Sequence, residues 1–123
     1  MVLLVGLGST AGHAAEKSEA PPSAKQIAQW IQQLDDDVFS VRESASRKLL
    51  RAGKATIEAV AKAAAGKSLE VTDRAVRILD ELASSTEGAT ARSAKAALVE
   101  LAASKDPAAA VRARTALRGY SSA

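Results

Sequence analysis

Val41-Arg42-Glu43-Ser44-Ala45-Ser46-Arg47-Lys48-Leu49 is echoed thirty residues later by Val71-Thr72-Asp73-Arg74-Ala75-Val76-Arg77-Ile78-Leu79. In both stretches Val, Ala and Leu recur at every fourth position, which lines one face of a helix. Val111-Arg112 opens a third, looser copy, with Thr115 at the alanine position. Self-similarity at a period of a few tens of residues marks a chain of stacked units, none of which can bury its apolar face alone. Such a stack offers an extended surface and does not by itself supply a reaction.

Working outward, the chain alternates helical patterns with short breaks. Ser23 is a good N-cap, and Ile27, Trp30, Ile31 and Leu34 follow on one face. Asp35-Asp36-Asp37 ends that helix and suits the start of the next, because negative charge is favoured at a helix N-terminus. The second helix is expected over Val38 to Ala52, closed by Gly53. A third spans Ala55 to Ala65. Ser68 caps a fourth, which carries Leu69, Val71, Ala75, Ile78, Leu79 and Leu82. Ser84 to Gly88 is a loop. A fifth helix covers Ala89 to Ala103, and a sixth opens at Asp106-Pro107, where the missing proline N–H is harmless. Gly119 is expected to close it, leaving 120–123 as a tail. The reading is an all-α domain over 23–119, made of three antiparallel helix pairs.

Composition agrees. The chain has 29 alanines and three aromatics, Trp30, Phe39 and Tyr120. Alanine is the strongest helix former, whereas aromatic and β-branched residues favour strands. Each buried alanine adds little apolar area, so the expected core is modest.

Residues 1–15 read as an export signal. A short apolar run, MVLLVGLGSTAG, precedes His13-Ala14-Ala15, with small residues suited to cleavage. No Lys or Arg precedes the run, and it falls far short of the roughly 20 apolar residues that span a bilayer. Residues 16–22, with charges, Ser and the Pro21-Pro22 pair, read as a linker. These segments imply a periplasmic or secreted protein, or a cytoplasmic one if the segment is retained.

Cysteine is absent, and His13, the only histidine, lies in the segment expected to be removed. Disulfides, thiolate metal sites and nucleophiles activated by a histidine base lose their usual parts. No enzyme activity, metal or cofactor is expected. Asp35-Asp36-Asp37 lacks the alternating carboxylates, glycine and distal Glu of a calcium loop, so capping is the better account.

The formal net charge is +3. By helix, the second carries +3 (Arg42, Arg47, Lys48, Arg51, Glu43) and the fourth −2 (Glu70, Asp73, Arg74, Arg77, Asp80, Glu81). The sixth carries +3 (Arg112, Arg114, Arg118). A phosphate backbone favours an uninterrupted basic stripe, and stacking platforms are few, which argues against nucleic acid as the partner.

Asp37-x-x-x-Val41-Arg42-x-x-Ala45-x-x-x-Leu49, followed by Gly53-Lys54-Ala55-x-Ile57-x-Ala59-Val60, resembles the HEAT repeat family, including the short HEAT-like repeats of phycobilisome lyases. The likeness covers roughly Ala24 to Gly119. It implies a short right-handed α-solenoid in which the second helix of each pair lines one surface. It also implies that Arg42 and Arg112 bond acidic turns of their own or a neighbouring repeat. Thr72 departs from the usual arginine. The function expected from the repeat geometry is a protein-interaction scaffold. Its surface would include Arg42, Ser46, Arg77, Asp80, Arg112 and Arg114, and its partner is an unidentified protein or a second copy. The alternatives are a lyase- or chaperone-like protein acting on a chromophore protein, and a weak binder of nucleic acid or an acidic partner. Trp30 is expected in the core, and Phe39 over an end of the stack. Only the apolar positions of the copies repeat, so function is expected where the copies differ.

Overall fold

The computed structural model describes residues 21–66 and 68–121. The expected export signal, His13 and the linker up to residue 20 lie outside the described residues. Among the latter there are six α-helices and one short 3-10 helix, and no strand. The α-helices are α1 (Ala24–Gln33), α2 (Phe39–Ala52), α3 (Ile57–Ala64), α4 (Leu69–Ala83), α5 (Gly88–Ala102) and α6 (Pro107–Ser121). The 3-10 helix, Gly53–Thr56, joins α2 to α3.

Each terminus has a local cause. Ser23 Oγ accepts the Gln26 amide while Gln26 Oε1 accepts the Ser23 amide, a reciprocal cap that starts α1. Asp36 Oδ1 accepts the Val38 amide at 2.8 Å and sets the turn into α2. Gly53 (φ +68°) takes the left-handed backbone that ends α2, a conformation costly for any residue with a Cβ. The chain then tightens, because the Thr56 hydroxyl donates back to the Leu49 and Gly53 carbonyls. This is why α3 begins at Ile57 and not at Ala55. Ser68 Oγ accepts the Val71 amide to start α4. Asp106 Oδ1 accepts the Ala108 amide ahead of Pro107 at the first position of α6. Gly119 does not close α6; the helix runs on to Ser121 and brings Tyr120 back onto the core.

Helices α1–α2, α3–α4, α4–α5 and α5–α6 pack as consecutive pairs, and α2 and α3 both pack on the 3-10 helix between them. Alternate helices also pack: α2 with α4 and α4 with α6, α1 with α3 and α3 with α5. The result is two layers, α1–α3–α5 and α2–α4–α6. Contacts Arg42 to Glu70 and Glu43 to Arg74, then Asp73 to Arg112 and Asp80 to Tyr120, ascend along both helices of each pair, so α2, α4 and α6 are parallel. Leu34, Leu49, Val60, Leu79 and Leu98 are fully buried between the layers. Trp30 packs against them half-buried, as expected, whereas Phe39 is exposed. Ala45, Ala75 and Ala113 stand at matching places in the inner layer, where a side chain limited to Cβ lets helices approach closely.

That last residue corrects the sequence reading of the third copy. Val111 is 55% exposed and Thr115 is exposed, while Ala109 and Ala113 are fully buried and Leu117 packs on the core. The repeated skeleton is therefore Ala109-x-x-x-Ala113-x-x-x-Leu117, two residues earlier than Val111 suggests. On this register Arg112 is the counterpart of Arg74, not of Arg42.

Thr72, which stands where the first copy has Arg42, has a structural reason. Arg42 donates from Nη1 to the Asp36 and Asp37 carbonyls and ties down the α1–α2 turn. Thr72, at the same position of the next copy and buried, donates to the Ala64 carbonyl at the end of α3 at 2.9 Å. Thr72 thus satisfies a carbonyl left over where α3 stops, while Arg42 satisfies carbonyls of the turn after α1. Thr72→Val keeps the shape and removes the donor, so it is expected to cost about 1–3 kcal/mol in urea denaturation.

Candidate interaction surface

The inner layer carries two shallow grooves made from equivalent positions. Glu43, Ser46, Arg47 and Leu50 of α2 face Arg74, Arg77, Ile78 and Glu81 of α4 across a groove of about 370 Å³. Asp73, Val76, Arg77 and Asp80 of α4 face Arg112, Thr115 and Ala116 of α6 across one of about 450 Å³, with Val111 at its rim. The α4 positions in the second groove are those of α2 in the first, thirty residues on.

A ladder of ion pairs crosses both grooves. Arg74 Nη1 lies 3.0 Å from Glu43 on α2, and its Nε lies 3.2 Å from Glu70 on its own helix. The hydrogen bond to Glu43 holds the Arg74 guanidinium above its ordinary pKa, against the opposing effect of burial. Arg112 Nε, one copy later, lies 3.6 Å from Asp73. Arg42 Nε lies 3.6 Å from Glu70, and its guanidinium sits over the Phe39 ring. The +3, −2, +3 alternation of the helices is thus internal complementarity: the acidic α4 binds both basic neighbours. Because the acidic α4 offers opposite charge to both α2 and α6, the pattern also favours one order of packing.

All six sequence-selected residues lie on the helices of this layer, and four of them line its grooves. Ser46 and Arg77 line the first groove; Arg77, Asp80 and Arg112 line the second. Arg42 is half-buried and committed to its turn, as the resemblance implied. Arg112 bonds Asp73 and the Ala108 carbonyl, not an acidic turn. Arg77 keeps its side chain 77% exposed even while paired with Asp73. Arg114 lines neither groove; it projects from the far edge of α6. Sequence reasoning passed over Arg74 and Tyr120. The i,i+4 pairs Glu70–Arg74 and Asp73–Arg77 were readable as such, but the partner on another helix was not.

Asp80 has a second task. The Tyr120 hydroxyl donates to the Asp80 backbone carbonyl at 3.0 Å and lies 2.9 Å from its Oδ1, with Ser84 Oγ at 3.1 Å. Lys95 stands over the ring. Burial pushes the Tyr120 phenol above its usual pKa, and the Asp80 carboxylate adds to this while the Ser84 hydrogen bond opposes it. A raised folded-state pKa means the folded chain holds this proton more tightly than the unfolded chain. The contribution is therefore intact below the unfolded value of about 10 and is lost as pH rises through the folded value. Urea midpoints measured across that range should fall more steeply for the native chain than for Tyr120→Phe.

On the other layer, Lys54, Glu58, Ala61, Lys62 and Ala65 face Ser93, Ala96, Ala97 and Glu100 across an open groove between α3 and α5 of about 640 Å³. Its walls are alanine and solvated charges of both signs, with Ile57 and Leu101 at its floor. Among the described residues no helix is long and apolar enough to cross a membrane. Comparison of the chain with protein-family models, with curated proteins and with solved structures finds no match.

Proposed function

We propose that this chain is a short right-handed α-solenoid of three HEAT-type helix pairs, exported and working as a non-catalytic protein-interaction scaffold. The observation that supports the reading is the pair of like grooves on the α2–α4–α6 layer, built by equivalent positions of successive helices. A rigid, repeated surface with paired charges and exposed crests suits recognition of an extended partner. The contacts proposed are Ser46, Arg77 and Asp80 at the grooves and Arg112 at the second wall, with Arg42 buttressing the first turn.

Photo-crosslinking tests this. A crosslinking residue at Ser46 or Arg77 should trap the same protein in the native host, and one at Ala96 on the opposite layer should not. Arg77→Glu should lower the yield at Ser46. Equal trapping from both layers, or none from the inner one, overturns the assignment of this surface. Sequencing the mature N-terminus tests export.

A further inference from the structure

Phe39 precedes Glu43 by four residues, and Leu69 precedes Asp73 by four. Each therefore stands one turn nearer the helix N-terminus than the acid whose ion pair crosses to the next inner helix, and on the same face. The two are equivalent positions of successive copies, and both are 62% exposed, with Val38 exposed beside the first. Neither lines a groove of the inner layer. Their exposure is not an end effect, because α4 packs between α2 and α6 and still turns Leu69 to solvent. Single exposed apolar residues are ordinary. The same position exposed in successive helices makes a row.

The row lies beside carboxylates. Arg42 donates to the Asp36 and Asp37 carbonyls, its guanidinium covers one face of the Phe39 ring, and its Nε meets Glu70, the residue after Leu69. The arginine thus ties the acidic turn, the ring and the start of α4 into one surface. At the same turn a groove of about 680 Å³ is walled by Asp35, Asp36 and Asp37 with Gln33 and Val71, and among the described residues that line it there is no cation. Asp36 Oδ1 is engaged by the Val38 amide. Asp35 and Asp37 are exposed, and among the described residues no cation pairs with their carboxylates.

We propose that this corner of the layer docks an extended, basic segment of a partner protein, which lays two apolar side chains on Phe39 and Leu69 and sets a lysine or arginine against Asp35 and Asp37. Adjacent helices stand about 8–10 Å apart. Three residues of polyproline II span about 9 Å and bring side chains i and i+3 to one edge. Two residues of a strand, about 7 Å, fall short. A second copy related by a two-fold axis would set Asp35 and Asp37 near their own counterparts, so like charges oppose that occupant. The proposal rests on the scaffold reading above and names the partner class and its anchors.

The test uses the full chain and a synthetic peptide in which two lysines precede Leu-Pro-Pro-Leu, followed by fluorescence anisotropy. The peptide should bind saturably below about 1 mM and more weakly as salt rises. Glutamates in place of the lysines should weaken binding about tenfold, and serines in place of the leucines should abolish saturation. Phe39→Ser and Leu69→Ser should each weaken it about five- to tenfold, with the helical circular dichroism unchanged. Phe39→Leu keeps an apolar contact, and Val99→Ser alters an exposed valine of α5; each should change affinity less than about twofold. Asp35→Asn with Asp37→Asn should flatten the salt dependence. An equal loss in Val99→Ser, or no saturable binding to about 1 mM, overturns the proposal. If the loss follows Arg77→Glu and neither serine variant, the anchors are wrong while the grooved scaffold stands. Self-association of the native chain that Phe39→Ser abolishes in sedimentation equilibrium, or peptide binding that appears only once residues 1–20 are removed, gives the row another occupant and overturns the proposal as well. So does tighter binding to phosphatidylcholine vesicles than to the peptide.

Discussion

Leu79→Ala is expected to lower stability by about 2–5 kcal/mol, the range for removing a buried leucine that leaves a cavity. Leu79 is fully buried in α4, the central helix of the inner layer, which packs on α2, α3, α5 and α6. Collapse around the lost side chain would have to move several helices at once, so the upper half of the range is expected. A domain of this size holds only about 5–15 kcal/mol in total, and its core is rich in alanine, so the loss is a large fraction. Urea denaturation followed by circular dichroism measures it. Leu69→Ala, at a residue 62% exposed on the same helix, should stay within about 0.5 kcal/mol. Similar losses from both would mean that α4 does not present the face described.

The parts of the fold that could be read in the sequence are those where local chemistry and apolar contrast agree. Ser23, Ser68 and Asp106-Pro107 each start a helix because a side-chain oxygen meets orphan amides within three residues. Val41-Ala45-Leu49 and Val71-Ala75-Leu79 stand out because polar neighbours separate the large residues. In α6 that contrast fails: Ala108, Ala109, Ala110, Ala113 and Ala116 supply a small apolar residue to almost any frame, and Val111 draws the eye to the wrong one. Burying alanine yields little free energy per residue, so packing against α4 and α5, not hydropathy, decides which side turns inward. The ladder was hidden for another reason. Arg74 meets Glu43 and Arg112 meets Asp73 across helices, and a rung of that kind exists only once the order and register of the layer are set. Polar positions that differ between copies therefore first serve complementarity between neighbours. Arg114 differs in kind, since it lines neither groove of the layer.

The corrected register makes its own prediction. Ala113→Asp is expected to cost more than about 3 kcal/mol and to detach or unfold the α5–α6 pair, because a carboxylate at a fully buried site loses its hydration. Arg112 and Arg114 precede and follow it, but α6 directs them to either side of the buried stripe. Protonation would be the cheaper escape, so the variant should recover part of its stability as pH falls through the raised carboxyl pKa. Val111→Asp adds the same charge two residues earlier, beside exposed arginines and in solvent, and should remain within about 0.5 kcal/mol of the native chain. The frame in which Val111 and Thr115 turn inward requires the opposite ranking. Thermal melts of the two variants at neutral and mildly acid pH decide between the frames, and a greater loss from Val111→Asp would turn another face of α6 to solvent.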